Sequence, residues 1–364
     1  MKHIEIGIWD LFFEIFRVVY NLDCCTIKNT PVKSIYTFIF ALSVIMFSCN
    51  EATSPIELEA ADLSFHEIID KNTKGEIIAE GFTWSEGPVW VEKEQMLLWT
   101  DVPENIVWSW QEGGEKKVYL TPSGYTGNGD REGANGLIIN QKGQLVLCQH
   151  GDRKVAVMNA PLTAPKPEFD YIATNFQGKK FNSPNDIIQD SDGVYWFTDP
   201  PYGLLDLDED AEKELSFQGV FRTSMAAEGE EIVLLTDKLT RPNGLALSPD
   251  ERYLYVANSD SDKAIWMKYE LDDNKKIIGE GKVLFDATDW VKEGKKGLPD
   301  GLKIRRDGTI FATGPGGVLV FNTAGKYIGT INTGQATANC ALNSDETMLY
   351  MTADNYVMQI DLKP

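Results

Sequence analysis

The chain has 364 residues, 43% of them hydrophobic and 11% aromatic, enough to bury a substantial core and unlike a disordered composition. Its formal net charge is −21 and no block of lysine or arginine occurs, so the basic footprint of a nucleic-acid binder is missing. Only His3, His66 and His150 are present, which argues against a multi-histidine zinc site and makes oxygen ligands the economical alternative.

In chain order, the first feature is an address. Residues 35–48, IYTFIFALSVIMFS, carry no charge, follow Lys33 and end at Cys49. The run is shorter than the ~20 residues of a membrane span and fits the apolar core of a signal peptide. Met46-Phe47-Ser48-Cys49 resembles a bacterial lipobox, loosely, because Phe47 stands where a smaller residue is commoner. Cys49 is expected to be the lipidated first residue of an exported lipoprotein, periplasmic or outer-membrane anchored, that meets the membrane through its lipid alone. An ordinary signal or a membrane anchor is the alternative. Residues 1–31 carry Glu5, Asp10, Glu14, Asp23 and the Cys24-Cys25 pair and fit no export signal, so translation is expected to begin at Val32. Residues 1–48 are thus read as a signal segment, 49–64 as a tether and 65–364 as the folded domain. Cys148 and Cys340 lie in the apolar runs LVLCQ and ANCAL and are expected to be buried free thiols.

Beyond residue 80 short apolar runs alternate with Gly, Asn, Asp and Ser turns, the pattern of many short strands. Six divergent repeats are visible: EGPVWVEKEQMLLWTD from Glu86, NGLIINQKGQLVLCQHGD from Asn135, NDIIQDSDGVYWFTDP from Asn185, NGLALSPDERYLYVAN from Asn243, DGLKIRRDGTIFATG from Asp300 and NCALNSDETMLYMTAD from Asn339. Each is a polar-headed strand, a turn and a second apolar strand, and Lys142-Gly143, Asp192-Gly193 and Asp307-Gly308 are recognised hairpin signals. By subtraction, successive heads stand 49, 50, 58, 57 and 39 residues apart, near the ~40–50-residue period of propeller blades. The expected fold is all-β, a six-bladed β-propeller, with KGEIIAEGF ahead of Glu86 supplying the outer strand of the last blade. Closure of this kind removes exposed sheet edges. Trp84, Trp90, Trp99 and Trp196 are expected to pack between blades.

The inner strand of each blade lines the channel, so the six heads converge near the axis. Asn or Asp before Gly is also an ordinary turn former. All six heads nevertheless carry a side-chain oxygen, and one is a glutamate, which turns rarely use. Carboxylates and amide oxygens suit a hard divalent cation, Ca²⁺ first, with Mn²⁺, Mg²⁺ or Zn²⁺ as alternatives. Such an ion polarises a carbonyl and activates water, the chemistry of ester or lactone hydrolysis.

The EGPVW, SPND, RPNGLALSPD and PDGL motifs resemble the senescence marker protein/gluconolactonase/luciferin-regenerating family, and HGDRKV and WFTDPPYG resemble its bacterial gluconolactonase branch. The resemblance covers roughly residues 80–355, with the motifs in the family's order. It implies a six-bladed propeller with one divalent metal, usually calcium, held by Glu86, Asn185, Asn243 and Asp300, with Asp300 as the general base. It also implies a sugar lactone as substrate, with His150 and Arg153 of the HGDR motif as substrate-contact candidates. Tyr202 of FTDPPYG is a further substrate-contact candidate in the wall of the mouth, and Asp199 is a wall or a rigid turn. Asn135 and Asn339 are ring members by spacing alone, placed behind the ligands or on the substrate, or as structural turns, with Asn135 the substrate-contact candidate of the two. Some members carry an arginine shortly before the third head; KKFNSPND offers Lys179 or Lys180 instead, and lysine does not replace a bidentate arginine. The rival readings are a lipid-anchored binding protein without turnover, a broader esterase or organophosphate hydrolase using the same ion, and a propeller of the strictosidine-synthase type.

Overall fold

A computed structural model describes residues 54–129, 131–226 and 229–364; the signal segment, the lipobox and Cys49 lie outside the described residues. Strand β1 (Glu57–Ala60), a short helix α1 (Phe65–Ile68) and β2 (Glu76–Glu80) come first. Blade one is β3 (Ser85–Val91), β4 (Met96–Asp101), β5 (Ile106–Trp110) and β6 (Lys117–Leu120), and blade two is β7 (Ala134–Ile139), β8 (Leu145–Gln149), β9 (Lys154–Met158) and β10 (Phe169–Ala173). Blade three is β11 (Ile187–Gln189), β12 (Tyr195–Asp199), β13 (Gly219–Ala226) and β14 (Gly229–Thr236), and blade four is β15 (Pro242–Leu247), β16 (Tyr253–Asn258), β17 (Ile265–Leu271) and β18 (Ile277–Asp286). After helix α2 (Thr288–Lys292), blade five is β19 (Leu302–Ile304), β20 (Ile310–Gly314), β21 (Gly317–Phe321) and β22 (Tyr327–Asn332). Blade six is β23 (Thr337–Leu342), β24 (Met348–Ala353) and β25 (Tyr356–Asp361), completed by β2. The protein is an all-β six-bladed propeller.

The ring closes as the KGEIIAEGF segment predicts. β2 pairs antiparallel with β25, Glu76 facing Gln359 and Glu80 facing Tyr356, so the two ends of the domain share one sheet. Part of the expected tether is corrected: residues 57–60 form β1, a fifth strand on β22 that pairs Glu57 with Asn332 and Ala60 with Gly329. The acidic residues of IELEAAD hide this strand in the sequence. Its anchors are the flanking Ile56, Phe65 and Ile69, which are buried in the core between blades five and six.

Each pair of neighbouring blades shares one apolar core, and six such cores run round the ring. This is why the second strands read as almost continuous apolar runs: both faces are covered. Between blades two and three, buried Phe181, Phe197 and Phe221 meet with ring centroids 5.2–5.4 Å apart, contacts that contribute about 0.5–1.5 kcal/mol each beyond burial. Trp99 and Trp196 fill inter-blade cores, and Trp90 stacks on Tyr350 of blade six at 5.4 Å. Cys148 and Cys340 are buried free thiols, and burial raises both, Cys340 to about 12. Among the described residues no helix is long and apolar enough to cross a membrane.

The inner strands are irregular where the heads lie. Ladder register shifts between Glu86 and Val89, Ala134 and Leu137, Pro242 and Leu245, and Thr337 and Asn339. In blades three and five the ladder begins only after the head, at Ile187 and Leu302. A bulge at this place re-aims a side chain out of the ladder. The glycine after the head then has a packing reason rather than a turn reason. A Cβ on Gly136 would lie 2.6 Å from Asn185 O, and one on Gly244 would lie 2.3 Å from Asp300 O, because adjacent inner strands touch backbone to backbone. Gly244→Ala is therefore expected to cost about 1–3 kcal/mol of stability through overpacking. Urea unfolding of the variant checks it; a midpoint equal to wild type would refute the contact.

Candidate functional site

The heads and the loops that precede them open onto one cavity of about 640 Å³ at the channel mouth. Glu86, Asn135, Asn185, Asn243 and Asp300 all line it, with His150 and Tyr202. Its remaining polar wall comes from Glu132, Ser259, Ser261 and Thr337, and among the described residues no lysine or arginine lines it.

The head side chains are buried and poorly satisfied. Asn135 Oδ1, Asn185 Oδ1, Asn243 Oδ1 and Asp300 Oδ1 are buried without a hydrogen-bond partner. An unsatisfied buried polar atom costs about 1–3 kcal/mol, so four at one place need a common explanation. Glu86 accepts a hydrogen bond from the Gly87 N–H at 2.9 Å. Burial raises its carboxyl to about 7, and the charge of Asp186 adds to that rise against the opposing Gly87 bond. Burial likewise holds Asp300 well above the usual carboxylate range, reinforced by the nearby charges of Glu86 and Asp186. Two carboxylates and three amide oxygens without donors form an oxygen-only set, and that set fits a hard divalent cation. Among the described residues no group of three His, Cys, Asp or Glu side chains makes a metal site by itself, so a cation held here would also need amide oxygens.

The match to known proteins follows the same region. The family model for the SMP-30/Gluconolactonase/LRE-like region matches residues 84–355. The chain belongs to this family. A gluconolactonase of Zymomonas mobilis is 38% identical over 304 residues, covering 81% of this chain and 83% of that one. A solved gluconolactonase from Xanthomonas campestris superposes with a TM-score of 0.72 at 27% identity, over 84% of this chain and 95% of the other. Regucalcin from Agrobacterium tumefaciens, a calcium-binding protein, shares the fold with a TM-score of 0.60 at 17% identity, over 80% of this chain and 95% of that one.

Within this family fold, not every residue expected at the site is there. Arg153 is corrected. It lies outside the cavity lining, with Nε donating to Phe181 O at 2.6 Å and a terminal nitrogen donating to Glu212 O at 2.8 Å, so it ties loops together. The chain turns tightly between His150 and Arg153, which takes a φ of +60°, and the two side chains part. Lys179 and Lys180 are exposed and also outside the lining. Trp84, expected between blades, lines the cavity instead. Asn339 is buried below the mouth, its Oδ1 accepting from the Cys340 N–H at 2.9 Å and from Lys303 Nζ at 3.3 Å, and its amide supports Glu86. Tyr202 donates to Ser259 O at 3.3 Å, and its burial raises the phenol.

Two groups of supporting residues lie behind the heads; of these the sequence points only to Asp199, as a wall or a rigid turn rather than a clamp. Asp186, directly after the third head, is buried with Oδ2 unpartnered. The other group ends the second strands. Asp101 accepts from the Thr83 and Trp84 N–H groups, Asp199 from Asn182 and Ser183 at 2.8 Å each, and Asn258 from Arg241 at 2.9 Å. Each clamps the loop that delivers the head of its own blade. WTD, FTD and VAN, aligned, are the signal that would have found them.

Asp199 is therefore a clamp for the loop carrying Asn185. Burial raises its carboxyl from 3.8 to about 7, partly offset by the two backbone bonds it accepts. A folded value above the unfolded one means that its contribution is full below about pH 4 and is lost as pH rises through 7. The stability of wild type relative to Asp199→Asn is thus expected to decline between pH 4.5 and 7.5, read by urea unfolding. Parallel pH profiles for the two proteins would count against it.

Proposed function

We propose that the protein hydrolyses a neutral sugar lactone of the gluconolactone type at this cavity, with a divalent cation, Ca²⁺ first, held by Glu86, Asn185, Asn243 and Asp300. The observation that carries the reading is that these four residues, from four blades, line one cavity with three of their oxygens buried and unpartnered. The 38% identity to a gluconolactonase over most of both chains supports the substrate class.

When bound, the cation supplies Lewis-acid polarisation of the lactone carbonyl. The chain's own part is positioning and proton transfer. Asp300 takes a proton from water as the water oxygen attacks the carbonyl carbon. The ring C–O bond then breaks, the proton returns to the departing ring oxygen, and lactone plus water becomes a hydroxy acid. Trp84, Leu298 and Val291 supply apolar wall, while Asn135, Tyr202, Ser259 and Ser261 offer groups that can bond sugar hydroxyls.

The charge of the lining narrows the substrate. Glu132 adds a third carboxylate to a lining that holds no lysine or arginine among the described residues, which disfavours phosphorylated or carboxylated lactones. A lactone panel with added Ca²⁺ tests the reading. Gluconolactone is expected to be opened, a 6-phosphorylated lactone much more slowly, and both activities lost with chelator. Asp300→Asn is expected to lower kcat by at least about 100-fold with the fold retained, within the range of losing a general base. Binding without turnover by wild type would favour the binding-protein reading instead.

We also propose that the propeller is carried outside the cytoplasm on a lipid at Cys49, as the apolar run 35–48 ending in Phe47-Ser48-Cys49 supports. Cys49→Ala should then move the protein from the membrane fraction to the soluble fraction in cells; unchanged fractionation would refute the anchor.

A further inference from the structure

His150 and Glu132 form a pair at the edge of the cavity to which the hydrolytic reading gives no part in holding the cation. His150 Nδ1 lies 2.8 Å from Glu132 Oε2, and His150 Nε2 lies 3.4 Å from Asn185 Nδ2. The His150 side chain is 2% exposed and that of Glu132 is 39% exposed. The ring cannot drift. Its backbone N–H donates to Gly133 O at 3.1 Å, and Gly203 packs so closely that an added Cβ would stand 2.7 Å from the His150 Cβ.

The polarity of these contacts runs in one direction. An ionised carboxylate only accepts, so Nδ1 of a neutral imidazole carries the proton and donates to Glu132. Nε2 is then a lone pair and can only accept, and the group facing it is the amide nitrogen of Asn185. The remaining atom of that amide, Oδ1, is the one left buried without a partner at the cavity. Turning the amide over would set oxygen against the Nε2 lone pair and present an NH₂ group to the place where a cation is bound.

We propose that Glu132 and His150 are positioning residues that fix the amide of Asn185 with its oxygen toward the cation. The inference rests on the cation site of the preceding section and assigns His150 a role other than substrate contact. A carboxylate behind a metal-binding histidine fixes its tautomer in the same way, and here the orientation is passed on one step further, through an amide.

The test is Ca²⁺ binding by titration calorimetry at pH 7.5 on the full chain, with no substrate present. Glu132→Ala and His150→Phe are expected to bind Ca²⁺ about 10–100-fold more weakly than wild type, the usual cost of losing such a partner. His150→Gln keeps an acceptor for Asn185 and is expected to stay much closer to wild type. Long-range ¹H–¹⁵N spectra of wild type should show the Nδ1–H tautomer of His150, and Glu132→Ala should lose it. Equal Ca²⁺ affinity in wild type and Glu132→Ala overturns the inference while leaving the cation site standing, even where KM for the lactone changes. His150→Phe binding as tightly as wild type does the same. If His150→Phe does not fold, Glu132→Ala, altered at a side chain 39% exposed, decides alone. Wild type that binds no divalent cation overturns this inference together with the site.

Discussion

Six inner strands meet round one axis at backbone contact distance, and the rest of the molecule follows from that crowding. Gly136 and Gly244 have no room for a Cβ because the carbonyls of Asn185 and Asp300 on the next blades stand against them. The Gly136 N–H donates to Asn185 O and the Gly301 N–H to Ala338 O, both at 2.8 Å, so the blades are hydrogen-bonded to one another beside the heads. Strands this close cannot also keep their regular ladders. The register shifts or the late starts at the heads release these side chains into the space between blades, and the only space left is the channel.

Crowding oxygens into a channel has an electrostatic consequence. Glu86, Asp186 and Asp300 act on one another there, and the ammonium of Lys303 is the opposing charge that Glu86 feels. These carboxylates outnumber the single ammonium, an imbalance that a divalent ion at the proposed site would offset. Without one, the site penalises folding, since buried like charges and orphaned oxygens each cost free energy. The six inter-blade cores and the β2–β25 closure offset that penalty at a distance from it. Stability and function thus occupy different radii of the ring.

The same geometry explains what the sequence disclosed. Four heads were legible because crowding favours a glycine after a polar residue, as in Glu86-Gly87, Asn135-Gly136, Asn243-Gly244 and Asp300-Gly301; Asn185 and Asn339 were legible by spacing and strand pattern. Closure by KGEIIAEGF was legible because a ring of six needs one strand from the other end. Asp186 and Lys303 escaped because they follow the heads in positions that look like ordinary strand residues. The clamps Asp101 and Asn258 escaped, and Asp199 reads as a wall or a turn, because nothing in a strand's sequence says which loop its last side chain reaches back to. Arg153 was misplaced for a sharper reason: three residues apart in sequence means little when the turn between them reverses the chain. Glu132 could not be read at all, since its contact to His150 spans two loops eighteen residues apart.

These supports give the site a graded construction. At the mouth, Asn185 is held on three sides: by its own loop, by the Asp199 clamp beneath that loop, and by His150 beside its amide. Asn243 has a comparable clamp in Asn258, and Glu86 has the Asp101 clamp behind it and Asn339 below. Asp300 is held differently. Its backbone N–H donates to Thr313 O, the Thr313 hydroxyl donates to Gly301 O and Ala338 O, and the second strand of its blade ends in Gly314, which has no side chain to clamp with. On the proposed reading, Glu86, Asn185 and Asn243, which would only hold the cation, are braced by charged or amide side chains behind their loops. Asp300, which would also exchange a proton, has the Asn243 side chain as a hydrogen-bond partner and is otherwise braced through backbone carbonyls, with no acidic clamp on its loop. That distribution would separate a holding group from a reacting one within a ring whose six positions are otherwise equivalent.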